Sequence, residues 1–485
     1  MTVSAAGAEN ATDAFALGEL AVRGRVLEAV GVRDAQQQAW LMVLSAEQMP
    51  PEERRFITLF ARGEATGSVA IPIPHRFVAV DVAELGGAAG PELLLLAADE
   101  LRILNANGAL VRSIPLDPLL PLPPRTREQS RLEFAGAWSG PGKLEALLPD
   151  VAGLRIVALT VDAPPLLLRL PVTALYGESQ PGPPPTSFFR AALLWPSVFS
   201  IDDDGDGVRD LVATTRYGLT SYRGGPAGLS AKPSRVRRFP AFPYEEERRA
   251  DSNLLRASLA DLDGDGDADL VVHRTVGTLI GSRAETRIHA NPGGGADPLG
   301  TAVGSLAVEG GVATAELADL DGDGRAELVQ SVLPFGMFQL LRILTRSQAE
   351  LELRVYGFDG AKLGPPRLRW SDDLTLPFDF KTARVTALLP KFEGDFNGDG
   401  RRDLVYGDAD GNARIRLGAP GAIFGEEVAS IPLQARGGAT AFIDLDGDRL
   451  DEIVFWDPVE PAGRLRIARN RGKLPGSPAR LNPAR

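Results

Sequence analysis

The chain is organised around the stretch Asp261-Leu262-Asp263-Gly264-Asp265-Gly266-Asp267-Ala268-Asp269, which is followed directly by the apolar run Leu270-Val271-Val272. The same pattern occurs five times in variant form, with copies that begin at Asp202, Asp261, Asp319, Asp395 and Asp444. Short apolar runs lie between the copies, which follow one another at intervals of roughly 50 to 76 residues. A repeat of this period predicts an array of β units within one architecture.

Each copy has the composition of a turn that binds a hard cation. In the copy at Asp261, carboxylates occupy positions 1, 3 and 5, and the glycines at positions 4 and 6 permit the positive φ that a tight turn demands. Position 7 can offer a backbone carbonyl, and a carboxylate at position 9 completes an all-oxygen shell. Such a shell suits calcium more than strictly octahedral magnesium.

The calcium loop of an EF-hand is the main alternative, and the residues after each copy exclude it. An EF-hand loop needs a bidentate Glu at position 12. Position 12 of the five copies is occupied by Ala213, Val272, Gln330, Tyr406 and Phe455. A short β-branched run follows position 9 in place of an amphipathic helix, so each loop is predicted to join two strands.

These loops resemble the FG-GAP and VCBS repeats of integrin-α-like β-propellers, in which Asp-x-Asp-x-Asp-Gly-x-x-Asp calcium loops join adjacent strands of a blade. The resemblance implies side-chain ligands at Asp202, Asp204, Asp206, Asp210, Asp261, Asp263, Asp265, Asp269, Asp319, Asp321, Asp323, Glu327, Asp395, Asn397, Asp399, Asp403, Asp444, Asp446, Asp448 and Glu452. It implies backbone carbonyl ligands at Val208, Asp267, Arg325, Arg401 and Leu450. The turn that gives the repeat its name is matched by Tyr217-Gly218 with Gly224-Gly225-Pro226, and by Gly418-Ala419-Pro420.

About five structural Ca²⁺ sites are therefore expected, and they are not expected to be equal. Glu327 and Glu452 are longer than Asp, so they can shift the ninth ligand. Arg449 replaces the second glycine of the last loop, which we expect to bind calcium most weakly. The segment from Asp81 to Pro91 keeps the length and the glycines of an acidic loop, and we interpret it as a repeat that lost its carboxylates.

The predicted fold is all-β, a propeller of four-stranded antiparallel blades with calcium loops between adjacent strands. Its expected parts are an N-terminal segment at 1–25, degenerate blades without metal loops at 26–190, five calcium-loop blades of the same propeller at 191–470, and a flexible tail at 471–485. The Pro-rich run from Pro181 to Pro185 is interpreted as a long surface loop.

Eight blades are favoured over seven, since eight sets of strands can be counted. The last set lacks a fourth strand of its own. If Phe15 to Arg23 supplies that strand the ring has eight blades, and if Ser68 to Pro74 supplies it the ring has seven. A helix is the alternative interpretation of Phe15 to Ala35, which is rich in Ala, Leu, Glu and Arg.

The composition limits the kinds of reactive group and metal site that the protein can contain. The 485 residues include no Cys and three His, which excludes thiol chemistry and leaves little support for imidazole zinc sites. The acidic loops account for much of the net charge of −12.

No apolar run reaches the roughly 18 residues of a membrane helix, so no membrane span is expected. Met1 to Phe15 has no secretory signal, yet the millimolar calcium outside cells suits weak calcium modules, and we expect an extracytoplasmic protein whose signal was removed.

The leading functional hypothesis is a non-enzymatic scaffold for a protein or glycan ligand, an adhesion or interaction module. A lectin is one variant, with candidate aromatics at Trp40, Trp138, Trp195, Trp370 and Trp456, of which Trp138 and Trp370 are expected to be the most exposed. A calcium-dependent polysaccharide lyase is the enzymatic alternative, with a base at His273 or His289 or in the segment from Arg235 to Arg249. That segment mixes both charge signs, which disfavours nucleic-acid binding.

Overall fold

The apolar runs between the Gly- and Pro-rich turns form antiparallel strands in groups of four. The computed structural model describes residues 11–48, 53–66, 68–86, 90–117, 131–170, 173–178, 189–194, 196–215, 218–226, 228–238, 254–276, 282–291, 302–334, 336–346, 348–359, 362–375, 378–379, 384–385, 388–408, 410–433, 438–458 and 460–478. Within these residues there are eight four-stranded antiparallel sheets, the blades of a propeller ring.

Seven blades consist of four consecutive strands. Blade 1 comprises β2 (Arg25–Arg33), β3 (Ala39–Glu47), β4 (Arg54–Ala61) and β5 (Ala70–Ile73). Blade 2 comprises β6 (Ala79–Ala83), β7 (Glu92–Leu96), β8 (Glu100–Leu104) and β9 (Leu110–Pro115). Blade 3 comprises β10 (Ala135–Gly136), β11 (Glu145–Asp150), β12 (Gly153–Ala158) and β13 (Leu166–Arg169).

The remaining blades carry the acidic loops. Blade 4 comprises β16 (Ser197–Ile201), β17 (Asp210–Thr215), β18 (Gly218–Tyr222) and β19 (Arg235–Arg238). Blade 5 comprises β20 (Leu254–Ala260), β21 (Asp269–Val276), β22 (Arg283–His289) and β23 (Gly304–Glu309). Blade 6 comprises β24 (Gly311–Ala318), β25 (Glu327–Pro334), β26 (Gln348–Asp359) and β27 (Lys362–Thr375). Blade 7 comprises β30 (Lys391–Gly394), β31 (Asp403–Gly407), β32 (Ala413–Gly418) and β33 (Phe424–Ile431).

Blade 8 joins the two ends of the described chain. Its strands β34 (Ala439–Ile443), β35 (Glu452–Trp456) and β36 (Arg464–Asn470) are completed by β1 (Phe15–Ala21), which pairs with β36 from Phe15↔Asn470 to Ala21↔Arg464. The prediction of eight blades is confirmed, and the helical interpretation of Phe15 to Ala35 is wrong. The rival closing segment forms β5, the outer strand of blade 1. Phe15 and Leu20 are buried, so apolar burial outweighs the helix propensity of their neighbours.

The hydrophobic core is divided among the blade interfaces. One apolar cluster lies between each pair of neighbouring blades, including blades 8 and 1, where Val454 and Ile467 pack with Leu41 and Val43. First strands of neighbouring blades contact each other, as β2 contacts β34 and β30 contacts β34, so these strands line the axis. The ring is therefore held mainly by side-chain packing between sheets, and β1 closes it by pairing with β36.

Within the described part of the chain, three short insertions interrupt the repeat. Strands β14 (Thr173–Glu178) and β15 (Phe189–Leu194) form a hairpin between blades 3 and 4, and the Pro181 to Pro185 run lies outside the described residues. Strands β28 (Phe378–Asp379) and β29 (Arg384–Val385) form another small pair. Besides the short helix α1 (Ala11–Ala14), a ten-residue helix α2 (Met337–Arg346) precedes β26. None of the helices in the described residues is long and apolar enough to cross a membrane.

The segment that we expected to be a flexible tail packs on the ring over residues 471–478. Leu474 is buried in the same cluster as Phe15 and Phe396. The Pro475 carbonyl accepts a hydrogen bond from Asn397 Nδ2 at 3.4 Å. This segment therefore covers one of the acidic loops, and its residues show no periodicity from which that contact could be predicted.

Candidate metal-binding loops

Each of the five acidic copies joins the first strand of its blade to the second. We refer to them as the first loop (202–210), second loop (261–269), third loop (319–327), fourth loop (395–403) and fifth loop (444–452), in blades 4 to 8 respectively. The expectation that these loops connect two strands is confirmed.

One hydrogen-bond pattern shapes the turn in all five loops. In the second loop, Asp261 accepts the backbone N–H of Gly264 at 2.7 Å with Oδ1 and that of Gly266 at 3.0 Å with Oδ2. Asp265 Oδ1 accepts the N–H of Asp267 at 2.9 Å. The equivalent three bonds recur in the other four loops. The side chains at the first and fifth positions therefore stabilise the shape of the turn through hydrogen bonds that do not involve an ion.

The residues at positions 4 and 6 have the predicted left-handed backbone. The nine glycines there have φ between +73° and +90°. Arg449 occupies position 6 of the fifth loop with φ +69°, so it keeps the same turn at the expense of backbone strain.

The carboxylates converge as a cation site requires. Ligand oxygens lie within 4.8 Å of one another in four groups, which are Asp202/Asp204/Asp206, Asp261/Asp263/Asp265, Asp319/Asp321/Glu327 and Asp444/Asp446/Glu452. The fourth loop has Asn397 at position 3, and the amide donates to Asp399 Oδ2 at 3.1 Å. Metal binding itself stays a prediction, as do the carbonyl ligands at position 7.

Unpaired oxygens show that these groups fit a hard cation. Asp204 Oδ1, Asp321 Oδ1 and Glu452 Oε1 are buried and have no hydrogen-bond partner among the described residues. Buried polar atoms are normally satisfied, and a buried carboxylate oxygen without a donor is costly. Because all the converging atoms are oxygens, the set suits Ca²⁺ or Mg²⁺ and not a soft metal.

The ninth carboxylate has two geometries that depend on its length. In every loop one of its oxygens accepts the N–H of position 2, as Leu262 N–H donates to Asp269 at 2.8 Å. When position 9 is Asp, the other oxygen accepts a further backbone N–H, from Gly224, Asn291 or Gly418. Glu327 and Glu452 instead reach into the acidic group. The extra methylene thus brings the ninth residue closer to the other ligands.

Burial raises the pKa of every ninth carboxyl, and the neighbouring carboxylates raise it further. The values are about 6 for Asp210, about 7 for Asp269, Glu327 and Asp403, and about 8 for Glu452. A divalent cation would favour the ionised form and lower these pKa values, because an opposite charge stabilises a carboxylate.

Four of the five loops also receive an arginine. Arg223 pairs with Asp204 and Asp206, Arg367 with Asp321 and Glu327, Arg401 with Asp399, and Arg33 with Asp444. No arginine or lysine among the described residues pairs with the ligand carboxylates of the second loop. Sequence reasoning missed the pairs of Arg223, Arg367 and Arg33 because these arginines lie outside the loops and are distant from them in sequence, whereas Arg401 belongs to the fourth loop itself.

Neighbouring loops touch each other in a continuous row. The glycine at position 4 of one loop lies beside position 7 of the next, in the pairs Gly205–Asp267, Gly264–Arg325, Gly322–Arg401 and Gly398–Leu450. Backbone bonds reinforce the row, since Ala326 N–H donates to the Asp261 carbonyl at 3.0 Å and Asp451 N–H to that of Asp395 at 3.1 Å. Glycine at position 4 is thus favoured by close approach as well as by φ.

Blades 2 and 3, which have no acidic loop, keep one carboxylate at the position equivalent to the ninth residue of the loops. Glu92 begins the second strand of blade 2, is buried, and accepts the N–H of Leu85 at 2.9 Å. Glu145 does the same in blade 3, where it accepts the N–H of Ser139 at 2.7 Å. A carboxylate at the start of the second strand therefore fixes the turn without a metal, and a lone Glu before an apolar run was the available signal.

The other candidate residues are mostly engaged in packing. Trp138 and Trp370 are half-buried, not exposed as we expected; Trp138 Nε1 donates to the Phe134 carbonyl at 2.9 Å, and Trp370 packs edge-on against Tyr406. Trp40 is half-buried and Trp456 is buried, while Trp195 lies outside the described residues. Residues 235–238 form β19, and 239–249 are likewise outside the described range.

The two candidate histidines of the enzymatic alternative, His273 and His289, are both buried in blade 5. His273 contacts Thr286 Oγ1 and the Ala313 carbonyl, each at 2.9 Å. Burial lowers the pKa of His273. With both ring nitrogens engaged, this imidazole has the contacts of a core residue.

Comparison with known families supports the repeat. Residues 261–329 and 395–455, which contain the second to fifth loops, match the model of the FG-GAP-like repeat. The protein is therefore an eight-bladed β-propeller that carries FG-GAP-like repeats.

Solved structures resemble the chain only distantly, and no curated protein matches it. It is similar to the V. cholerae biofilm matrix protein Bap1, with 12% identity over 96% of this chain and 89% of that chain and a TM-score of 0.43. It is also similar to BBS1N from its complex with ARL6DN, with 9% identity, coverage of 94% and 97%, and a TM-score of 0.34. A third similar structure is the Nup133 β-propeller domain of Vanderwaltozyma polyspora, with 9% identity over 94% of this chain and 98% of that chain and a TM-score of 0.29.

Proposed function

We propose that the protein is a calcium-stabilised, non-enzymatic propeller scaffold that acts outside the cytoplasm and binds a protein or glycan partner. The observation that carries the calcium part is the convergence of ligand oxygens within 4.8 Å in four of the acidic loops. Three buried carboxylate oxygens without donors, two of them in position 3, support the same conclusion.

Calcium in this position would act on stability. Each loop joins the inner strand of a blade to the next strand and touches the loop beside it, so an ion that neutralises the carboxylates also fixes the blade geometry. Because the unfolded chain lacks the converged ligands, binding free energy adds to folding free energy. Each site contributes about 2.7 kcal/mol when free calcium is a hundredfold above its Kd.

The scaffold role is supported by the engagement of both ring nitrogens of His273 in core hydrogen bonds. The extracytoplasmic location is supported by the match between multi-carboxylate loops and millimolar calcium. The proposal that the partner is a protein or a glycan rests on analogy with other propellers, which present loops on the faces of the ring.

Thermal unfolding followed by circular dichroism tests the calcium proposal. We expect the melting temperature to fall in chelator, to recover when excess CaCl₂ is added, and to recover less with MgCl₂ at equal concentration. The Asp263→Asn variant should recover less than the wild type, because the second loop loses a ligand. Superimposable melting curves in chelator and in calcium would contradict the proposal.

The scaffold role needs a separate test. A glycan array probed with calcium-loaded protein, and an assay for unsaturated products on acidic polysaccharides, distinguish a lectin, a lyase and a protein-binding scaffold. Release of unsaturated products would replace the scaffold with an enzyme. Glycan binding without product release would identify the partner as a glycan. No signal in either assay would favour a protein partner.

A further inference from the structure

We propose that Arg223 and Arg367 are internal counter-cations that compete with calcium in the first and third loops, so that the second loop binds calcium most tightly. This inference rests on the proposed function, since it assumes that the loops bind calcium. It explains how charged side chains outside the loops can give different calcium affinities to sites whose ligand sequences are nearly the same.

The third loop shows the competition most clearly. Arg367 on β27 donates from Nη2 to Asp321 Oδ2 at 2.7 Å and from Nη1 to Glu327 Oε1 at 2.8 Å. Asp321 and Glu327 both belong to the group of converging oxygens. One guanidinium therefore spans two of the three carboxylates in that group and supplies a positive charge at its edge.

The first loop repeats the arrangement from a different strand. Arg223 follows β18 and contacts Asp206 Oδ2 at 2.7 Å and Asp204 Oδ2 at 3.2 Å. Its side chain is 54% exposed, against 42% for Arg367, so solvent screens its charge more strongly. We therefore expect Arg223 to weaken calcium binding less than Arg367 does.

The second loop lacks this compensation. Asp261, Asp263 and Asp265 converge within 4.8 Å, and within the described ranges no cationic side chain pairs with them. Its own position 7 is Asp267, which is buried and acidic. The guanidinium of Arg325, at position 7 of the third loop, lies beside the Gly264 backbone, and among the described residues it forms no ion pair with the carboxylates of the second loop. A calcium ion therefore displaces no ion pair from the ligand carboxylates of this loop, which favours the tightest binding in the row.

A guanidinium beside a cation site acts in two directions. It stabilises the metal-free loop by pairing with its carboxylates, and it opposes calcium by like-charge repulsion and by holding ligand oxygens. Exposed and half-exposed ion pairs contribute up to about 1 kcal/mol, so removing one should tighten calcium binding by roughly three- to fivefold.

The test is calorimetric titration of the intact protein with CaCl₂ after chelator treatment and dialysis. Arg367→Gln removes the cation, and Arg369→Gln is the matched control, because Arg369 lies on the same strand but pairs with Glu352, which is not in a loop. We expect Arg367→Gln to tighten one site by roughly three- to fivefold and to lower the melting temperature in chelator. Arg369→Gln should leave all calcium affinities unchanged.

A second substitution assigns the effect to the third loop. Adding Asp323→Asn to Arg367→Gln should abolish the gain, since Asp323 belongs to that loop. Asp263→Asn alone should remove the tightest site, whereas Asp323→Asn alone should remove a weaker one.

The inference is overturned if calcium binds and Arg367→Gln changes no site, or if Asp263→Asn leaves the tightest site intact. If the wild type binds no calcium, the proposed function fails as well. The two failures are therefore distinguishable in one set of titrations, and an unchanged far-UV circular dichroism spectrum verifies the fold of each variant.

Discussion

Arg33 of blade 1 donates from Nη2 to Oδ2 of Asp444 at 2.7 Å, and this bond joins the first blade to the fifth acidic loop. The two residues are 411 positions apart. They lie at the interface where β1 closes the ring, so the closure is made by backbone pairing, apolar packing and an ion pair together. The fifth loop is thereby coupled to ring closure, beyond its own blade.

Removing this ion pair should loosen the closure. Arg33→Ala is expected to lower the free energy of unfolding in chelator by about 0.5–1 kcal/mol, because the pair is partly exposed. Arg283→Ala is the control, since Arg283 pairs with Glu285 and Glu309 inside blade 5 and is 52% exposed. Denaturant unfolding measures both. Equal effects of the two variants would show that Asp444 has no special part in closure.

Gly224 and Gly225 offer a matched pair of substitutions in the Gly-Gly-Pro turn after β18. A Cβ on Gly224 would lie 2.1 Å from the Arg209 carbonyl oxygen, a backbone atom, whereas one on Gly225 would meet nothing closer than 3.8 Å. Gly224→Ala should therefore cost about 2–3 kcal/mol by overpacking, and Gly225→Ala less than about 1 kcal/mol. Thermal and denaturant melts check this. Similar losses for both would contradict a close approach at Gly224.

Position 6 of the loops gives a reciprocal exchange. Arg449 has φ +69° and Gly400, its equivalent in the fourth loop, has φ +83°. Arg449→Gly should stabilise the protein by about 0.5–1 kcal/mol, because relief of left-handed strain exceeds the entropy that glycine adds to the unfolded chain. Gly400→Arg should destabilise it by a similar amount. Both are measured by denaturant unfolding in chelator, and a change of the same sign in both variants would contradict the strain argument.

The pH dependence of stability should differ with and without calcium. The ninth carboxyls have folded pKa values of about 6 to 8, above their unfolded values of roughly 4. The folded metal-free protein thus binds more protons than the unfolded chain between about pH 4 and 8, and these groups make it less stable as pH rises through that window.

Calcium should remove that trend, since binding requires ionised ligands and strengthens as pH rises. Melting temperatures at pH 5 to 8 in chelator and in excess calcium test this, with Glu452→Gln as the variant that should flatten the chelator profile. Parallel profiles in the two conditions would rule out a link between these carboxyls and the ion.

The residues that repeat at fixed positions allowed most of the fold and the loops to be predicted. The pattern around Asp261 predicted the strand–loop–strand unit, the left-handed glycines and, through the strand count, the ring of eight. The secondary structure of β1 was ambiguous in the sequence because Phe15 to Ala35 has the composition of a helix. Its pairing with β36 shows that it is a strand. Burial against a distant partner overrides local propensity there.

What the sequence could not predict depends on contacts between blades. Arg33 reaches Asp444 across the ring closure, and Arg325 lies beside Gly264 in the next blade. Leu474 is buried although its neighbours have the composition of a loose tail. Such contacts have no local pattern, because they are set by how blades pack and not by the residues on either side in the chain.

Native mass spectrometry of the intact protein, titrated with CaCl₂ from a chelator-treated state, counts the calcium ions that the acidic loops bind. We expect successive binding of up to five Ca²⁺ ions per chain. Asp263→Asn should bind one ion fewer, and the ion that it loses should be the one that binds first to the wild type. A wild-type mass that stays metal-free at millimolar calcium, or a binding stoichiometry unchanged by Asp263→Asn, would contradict it.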